Sequence, residues 1–150
     1  MTRQRGFERI SQFSDEAYKA LNPKRETTHA AGYDLKVAEA TTIDPGEIAL
    51  VPTGVKAYMR PGEVLFLFDR SSNPRKKGLV LINSVGVIDG DYYNNPSNEG
   101  HIFAQMKNIT NEAITLPYGE RIVQGVFINH LTVDNDSASG DRTGGFGSTD

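Results

Sequence analysis

A chain of 150 residues with 37% apolar side chains can bury one compact core but not two. Sixteen Lys and Arg against nineteen Asp and Glu leave a formal charge of -3, which excludes a surface built as a whole to hold nucleic acid by counterion release; any anion site must be local. The absence of cysteine excludes disulfide frameworks, thiolate zinc sites and a cysteine nucleophile, and the three histidines, His29, His101 and His130, are not spaced as a ligand pair.

From the N-terminus, Met1-Thr2-Arg3-Gln4-Arg5-Gly6 leads into no signal-peptide core. The longest uninterrupted apolar run, Val64 to Phe68, is far short of the roughly 20 residues of a membrane helix, so a soluble, cytoplasmic protein without membrane contact is expected. Asp15 to Leu21 is the one stretch that predicts a helix, and it is short. Beyond it, Asp44-Pro45-Gly46 and Arg60-Pro61-Gly62 predict type II turns, with Pro fixing φ at the second position and Gly supplying positive φ at the third; Pro117-Tyr118-Gly119 marks another turn. Between the turns lie strand-length runs at Glu47 to Val51, Val55 to Met59, Val64 to Phe68, Leu79 to Ile82, His101 to Lys107 and Ile122 to Ile128. Short strands at this spacing predict an all-β sandwich or barrel. Val64 to Phe68 and Leu79 to Ile82 do not alternate and are expected to be covered on both faces, by a second sheet or by another subunit. The last stretch, Asp134 to Asp150, is rich in Asp, Ser, Gly and Thr and cannot offset its own ordering entropy, so it is expected to be a mobile tail until something binds it.

Five places in the chain carry residue types suited to chemistry. Arg70-Ser71-Ser72-Asn73-Pro74-Arg75-Lys76-Lys77-Gly78 sets hydroxyls, backbone N–H groups and cations on a loop between two apolar strands, as a phosphate chain requires; a basic surface turn has the same composition. Asn83-Ser84-Val85-Gly86, between two further apolar runs, reads as a β-hairpin whose amides can meet the edge of a planar base. Asp89 follows the apolar Val87-Ile88, which predicts a partly shielded carboxylate able to act as a general base or to meet a sugar hydroxyl, or simply one that caps a turn. Gln124 lies inside an apolar run and either bridges backbone groups or reaches into a site. Arg142-Thr143-Gly144-Gly145-Phe146-Gly147-Ser148-Thr149 combines glycines that let backbone approach an anion with an Arg, two hydroxyls and an aromatic face.

Taken in order, five segments resemble the five motifs of the trimeric dUTPases (deoxyuridine triphosphate nucleotidohydrolases): Ala31-Gly32-Tyr33-Asp34-Leu35, Arg70-Ser71-Ser72, Asn83 through Tyr92, Gly119-Glu120-Arg121-Ile122-Val123-Gln124, and Arg142 through Thr149. The resemblance covers nearly the whole chain. It implies a jelly-roll-like β-barrel or sandwich in residues 1–140, a homotrimer, and a flexible C-terminal arm, 141–150, exchanged to close a site built from three chains. It implies hydrolysis of dUTP to dUMP and pyrophosphate with Mg2+. By the same resemblance Asp89 activates the water and meets the 3'-hydroxyl, while Tyr92 stacks under deoxyribose and excludes a 2'-hydroxyl. Asn83 and the backbone of Val85, Gly86, Val87 and Ile88 read uracil, and Arg70, Ser71 and Ser72 hold phosphate. Gln124 orders phosphate and water, Asp34 meets the metal through its water shell, Arg142 with Gly147, Ser148 and Thr149 clamps the γ-phosphate, and Phe146 covers the base.

The chain departs from the family pattern in places. Asp69 stands where Pro is usual, Ser72 where Gly is usual, Tyr93 to Gly100 is longer than the common form and is expected to be variable surface, the Arg142 to Phe146 spacing is one residue shorter, and Asp150 stands where Gly is common. Two other readings remain open at this point. One is a dCTP deaminase of the same fold, against which stands Gln105 where that family carries a Glu, because an amide cannot take the proton. The other is a nucleotide-sensing trimer that holds a regulatory protein through the loop 93–100.

Overall fold

The computed structural model describes residues 2–145. Eleven strands, one α-helix and two short helical turns, Asn73–Lys77 and Gly90–Tyr92, make up the regular structure of these residues. The helix, α1 (Asp15–Leu21), begins at Ser14, whose Oγ accepts the N–H of Ala17 at 3.1 Å, and carries Asp15 and Glu16 in its first turn, where carboxylates favour the helix dipole. Both Pro-Gly turns form as the sequence dictates. Gly46 and Gly62 have φ of 75° and 85°, and the turns close through Glu47 N–H to Asp44 O at 3.0 Å and Glu63 N–H to Arg60 O at 3.1 Å.

Four antiparallel sheets result. The largest has the order β2 (Tyr33–Lys36), β11 (Arg121–Asn129), β6 (Glu63–Asp69), β8 (Val85–Ile88). The second contains β4 (Ile48–Pro52), β9 (Phe103–Asn108) and β7 (Leu79–Leu81). Two pairs complete the set: β1 (Gly6–Arg9) with β5 (Val55–Tyr58), and β3 (Thr41–Ile43) with β10 (Ile114–Leu116). Leu35, Leu65, Leu67, Leu79, Met106 and Ile122 are fully buried in one core between the sheets. This is the expected all-β fold with a single core.

The expected hairpin around Asn83 does not form. β7 pairs with β9, whereas β8 pairs with β6, so Asn83 and Ser84 carry the chain from one sheet to the other. Ser84 adopts φ of 67°, and Ser84 N–H to Leu81 O at 3.1 Å closes the crossing. Cover on both faces of β6 is also incomplete in the single chain: Leu65 and Leu67 enter the core, while Phe66 and Phe68 stay half-buried on the opposite face. Ile48, Leu50 and Val87 likewise remain half exposed. No helix among the described residues is long and apolar enough to cross a membrane.

One buried ionisable group gives the fold a measurable pH dependence. The Nε2 of His101 accepts the N–H of Gly54 at 2.9 Å, and its ring lies 4.3 Å from that of Phe103. Burial lowers its pKa from 6.5 to about 4, with Glu99 opposing the shift in part. Because the unfolded chain takes up this proton first, the contribution of neutral His101 is complete above about pH 6.5 and is lost as pH falls toward about 4. The slope is at most about 1.4 kcal/mol per pH unit. Glu63 and Glu99, both held below the ordinary carboxylate range, lose their contributions at lower pH: Glu63 by Arg5, and Glu99 because Lys56 and Ser11 outweigh its burial. Urea midpoints between pH 4.5 and 7 should therefore fall with pH in the native chain and less steeply in His101→Gln; equal slopes would contradict this account of His101.

Candidate active site

The first group of side chains gathers where β2, β6 and β11 lie side by side. In the ladder, Asp34 stands opposite Gln124, and Gln124 opposite Phe68, so the amide projects between the motif-one strand and the end of β6. Its Nε2 donates to the carbonyl of Asp69 at 3.2 Å. Gly32 lies against it: a Cβ there would sit 2.4 Å from Gln124 Oε1, so a larger residue would have to displace the amide. Asp34 is buried and lies 3.4 Å from Arg70 Nε and 3.7 Å from Arg121 Nη1. The interior amide that the sequence left open thus donates to one backbone carbonyl and stands opposite Asp34.

The loop after β6 is shaped by Asp69, the residue that departs from the family pattern. Its Oδ1 accepts the N–H of Arg70 at 3.0 Å and the Nδ2 of Asn73 at 2.6 Å, and its Oδ2 accepts the N–H of Leu81 at 3.0 Å. Asn73, wholly buried, also donates to the carbonyl of Ile122 at 2.7 Å. A carboxylate therefore fastens this loop to β7, and Asn73 fastens it to β11. Ser71 remains exposed and Ser72 partly so, and a single wide turn, Asn73–Lys77, follows with Arg75, Lys76 and Lys77 at its end.

A second group lies at the end of β8. This strand is the edge of its sheet, paired to β6 with Val85 opposite Phe68 and Ile88 opposite Leu65, so the outer backbone groups of Val85 to Ile88 face away from the ladder. Asn83 is exposed at its entrance. Asp89 follows directly, and its side chain is 52% exposed, more open than its apolar neighbours in sequence imply. The shielding comes instead from the C-terminal arm. Arg142 Nη2 lies 2.7 Å from Asp89 Oδ2, and Arg142 Nε lies 2.8 Å from Asp91 Oδ1. Its hydrogen bond to Asp91, with the two carboxylate charges, raises the Arg142 pKa further above its ordinary value. Arg142, which the resemblance assigns to the γ-phosphate, is thus paired here with Asp89 and Asp91. Asp91 is a residue that sequence reasoning missed, and only its spacing of two from Asp89 could have signalled it.

Tyr92 is 4% exposed, and burial raises its pKa. Its hydroxyl donates to the carbonyl of His101 and accepts from Asn98 Nδ2, while the guanidinium carbon of Arg142 lies 5.8 Å from its ring centre. In the segment 93–100, Asn94, Pro96 and Ser97 are exposed, while Asn95 and Gly100 are buried. Phe146, Gly147, Ser148 and Thr149 lie outside the described residues.

Chemically, one group offers a guanidinium, hydroxyls and an amide to an anionic chain; the other offers a carboxylate beside a strand edge and an aromatic ring. This is the equipment of a nucleotide-handling β protein. The dUTPase family model matches residues 18–150. The chain is 59% identical over 147 residues to the deoxyuridine 5'-triphosphate nucleotidohydrolase of Lactococcus lactis subsp. lactis (strain IL1403), covering 97% of each chain. It is 39% identical to that of Hahella chejuensis (strain KCTC 2396), covering 85% of each. The crystal structure of the dUTPase from Streptococcus mutans superimposes with a TM-score of 0.84 at 72% identity, over 87% of this chain and 99% of that one. The chain belongs to the dUTPase family.

Proposed function

We propose that this protein hydrolyses dUTP to dUMP and pyrophosphate. The observation that carries the reading is the run from residue 85 to residue 92: an open strand edge, then an accessible carboxylate, then an anchored tyrosine, in a chain of the dUTPase family. The outer backbone groups of Val85, Gly86, Val87 and Ile88, with Asn83, pair with uracil. Tyr92 lies against the deoxyribose and leaves no room for a 2'-hydroxyl. Asp89 accepts the proton of a water and directs it at the α-phosphorus, in line with the departing pyrophosphate. Arg70, Ser71 and Ser72 hold the phosphates, and Gln124 orders phosphate and water.

Substrate binding exchanges partners at the arm. Arg142 leaves Asp89 and Asp91 for the γ-phosphate, which frees the Asp89 carboxylate to receive a proton. Residues 141–150 form the closing arm, with Gly147, Ser148 and Thr149 joining Arg142 and with Phe146 covering the base. Three copies assemble one another's sites, and the half-exposed Ile48, Leu50 and Val87 support that assembly because a trimer can cover them. In it, the arm is exchanged, so that the contacts Arg142 makes here to Asp89 and Asp91 of its own chain are made between copies.

The residues fit a magnesium ion that arrives with the nucleotide. Among the described residues no three His, Asp or Glu side chains converge into a cage, and Mg2+ held by phosphate oxygens and water requires none. Asp34, at 3.4 and 3.7 Å from its two arginines, keeps lone pairs for the water shell of such an ion. When bound, Mg2+ neutralises charge that develops on the phosphates.

The cytoplasm is the setting for this reaction, with no part for DNA, RNA or a membrane. Deamination of dCTP is not favoured: Gln105, in β9 opposite Leu50, is an amide. Hydrolysis in 18O-labelled water should place the label in dUMP and none in pyrophosphate. Label in pyrophosphate, or no hydrolysis of dUTP, would overturn the reading.

A further inference from the structure

The segment Tyr93 to Gly100, which the proposed mechanism does not use, is built as a rigid bracket. Asn94 N–H to Glu99 O at 2.9 Å and Glu99 N–H to Asn95 O at 3.0 Å close it on itself, and Asn94, Glu99 and Gly100 take positive φ of 57°, 68° and 91°. The buried Asn95 organises its interior. Asn95 Oδ1 accepts from the N–H and Oγ of Ser97 at 3.0 and 2.8 Å, and its Nδ2 donates to the carbonyl of Tyr92 at 2.9 Å and to Asn98 Oδ1 at 2.7 Å. Outside, the bracket is tied to β5, to β1 and to the turn after β1: Lys56 Nζ donates to Asn94 Oδ1 at 2.5 Å and Glu99 Oε2 at 2.7 Å, Ser11 Oγ donates to Glu99 Oε1 at 2.6 Å, and the Tyr93 hydroxyl donates to Glu8.

All of this converges on one amide. Asn98 Oδ1 accepts from Asn95 Nδ2 and from Gly100 N–H at 3.1 Å, which fixes the orientation of the group and turns Nδ2 toward the Tyr92 hydroxyl at 2.9 Å. With the His101 carbonyl taking the phenolic proton, the hydroxyl is held from two sides. The arm passes close beside the same Nδ2: a Cβ added to Gly145 would lie 2.6 Å from it. Three residues earlier, Arg142 touches Asp89 and Asp91. Asn98 is therefore the point at which the tyrosine, the bracket and the arm are in register.

We propose that Asn98 is a positioning residue for sugar specificity: it fixes Tyr92 and the height at which the arm crosses it, so that the gap between them accepts 2'-deoxyribose and rejects ribose. This rests on the reading of Tyr92 as the sugar platform. A mobile tyrosine or a displaced arm would yield to a 2'-hydroxyl, whereas a ring held at both lone-pair and proton positions does not. Specificity here comes from an arrangement that penalises the wrong ligand rather than from one more contact to the right one.

The test is kcat/KM for dUTP and for UTP in the full-length protein with Mg2+, for Asn98→Ala, Asn98→Asp, Tyr92→Phe, Tyr92→Ala and the double variant Asn98→Ala with Tyr92→Phe. Asn98→Asp keeps the acceptor for Asn95 and Gly100 and so keeps the bracket folded, yet has no donor for the tyrosine. Both Asn98 variants should lower the dUTP to UTP ratio about tenfold, on the order of one hydrogen bond to a buried group. Tyr92→Phe should do the same, and the double variant should lose little more, because both act through one hydroxyl. If the Asn98 variants keep the native ratio while Tyr92→Ala lowers it, the role of Asn98 is overturned and the platform stands. If Tyr92→Ala also keeps the native ratio, the platform itself is wrong and the proposal falls with it. Additive losses in the double variant would show that Asn98 does not act through the hydroxyl.

Discussion

Asp89→Asn should bind a non-hydrolysable dUTP analogue as the native protein does and lose about 100- to 10,000-fold in kcat, the usual contribution of a general base. The amide preserves the shape and the accepting oxygen of the side chain but cannot take a proton from water at neutral pH. The resting contacts predict the binding side of this result as well. Asp89 Oδ2 is one of two carboxylate oxygens that hold Arg142, and Asp91 Oδ1 at 2.8 Å remains to hold the arm when the charge at 89 is removed. With only one carboxylate competing, Arg142 transfers to phosphate at least as readily, so KM should not rise. Isothermal titration with the analogue and steady-state hydrolysis of dUTP separate the two effects. Native turnover in this variant would remove Asp89 from the chemistry.

Deleting Asp141 to Asp150 should leave a folded trimer with at least about 100-fold less activity. The fold side of this expectation follows from the core, whose last buried members, Ile122 and Val123, lie in β11 and far from the deletion in sequence. The activity side follows from what the arm supplies. A hydrogen bond to a charged group contributes about 1.5–3 kcal/mol, and stacking on a base about 1–3 kcal/mol; losing one of each spans roughly two to four decades in rate. Ordering the arm costs about 1–2 kcal/mol per residue, so base contact alone does not close it and the phosphate contacts must be added. Sedimentation equilibrium and dUTP hydrolysis on the same sample test both halves. A truncated trimer that works at the full rate would make residues 141–150 a passive tail.

What was legible in the sequence is what local chemistry decides. A Pro-Gly pair dictates its turn whatever surrounds it, and Gly46 and Gly62 take the φ that their turns demand. The short helix predicted at Asp15 to Leu21 forms, with Ser14 capping it and Leu21 buried. The apolar runs became strands because burial alone selects them. Strand pairing is different in kind, since it depends on which partner another part of the chain offers. Hence β7 and β8, adjacent in sequence and both apolar, belong to different sheets. The strand β1 was invisible because Gly-Phe-Glu-Arg has a single apolar side chain; it forms through its ladder to β5 and the packing of Phe7 against Tyr33 and Phe127. In the site, motif residues could be placed by resemblance, but their resting partners could not. Asp69 reads as a departure from the pattern until its three accepted hydrogen bonds are seen, and Asp91 reads as surface until Arg142 reaches it.

The central claim is a substrate and a reaction, and one assay addresses both: release of pyrophosphate and of ammonia from dUTP, dTTP, dCTP and UTP, each with Mg2+ and the full-length protein. A strand edge that reads uracil, an anchored tyrosine beneath the sugar and a water-activating carboxylate predict rapid pyrophosphate release from dUTP, rates lower by orders of magnitude from the other three, and no ammonia from any. Ammonia from dCTP, or equal pyrophosphate release across the four nucleotides, would contradict the account.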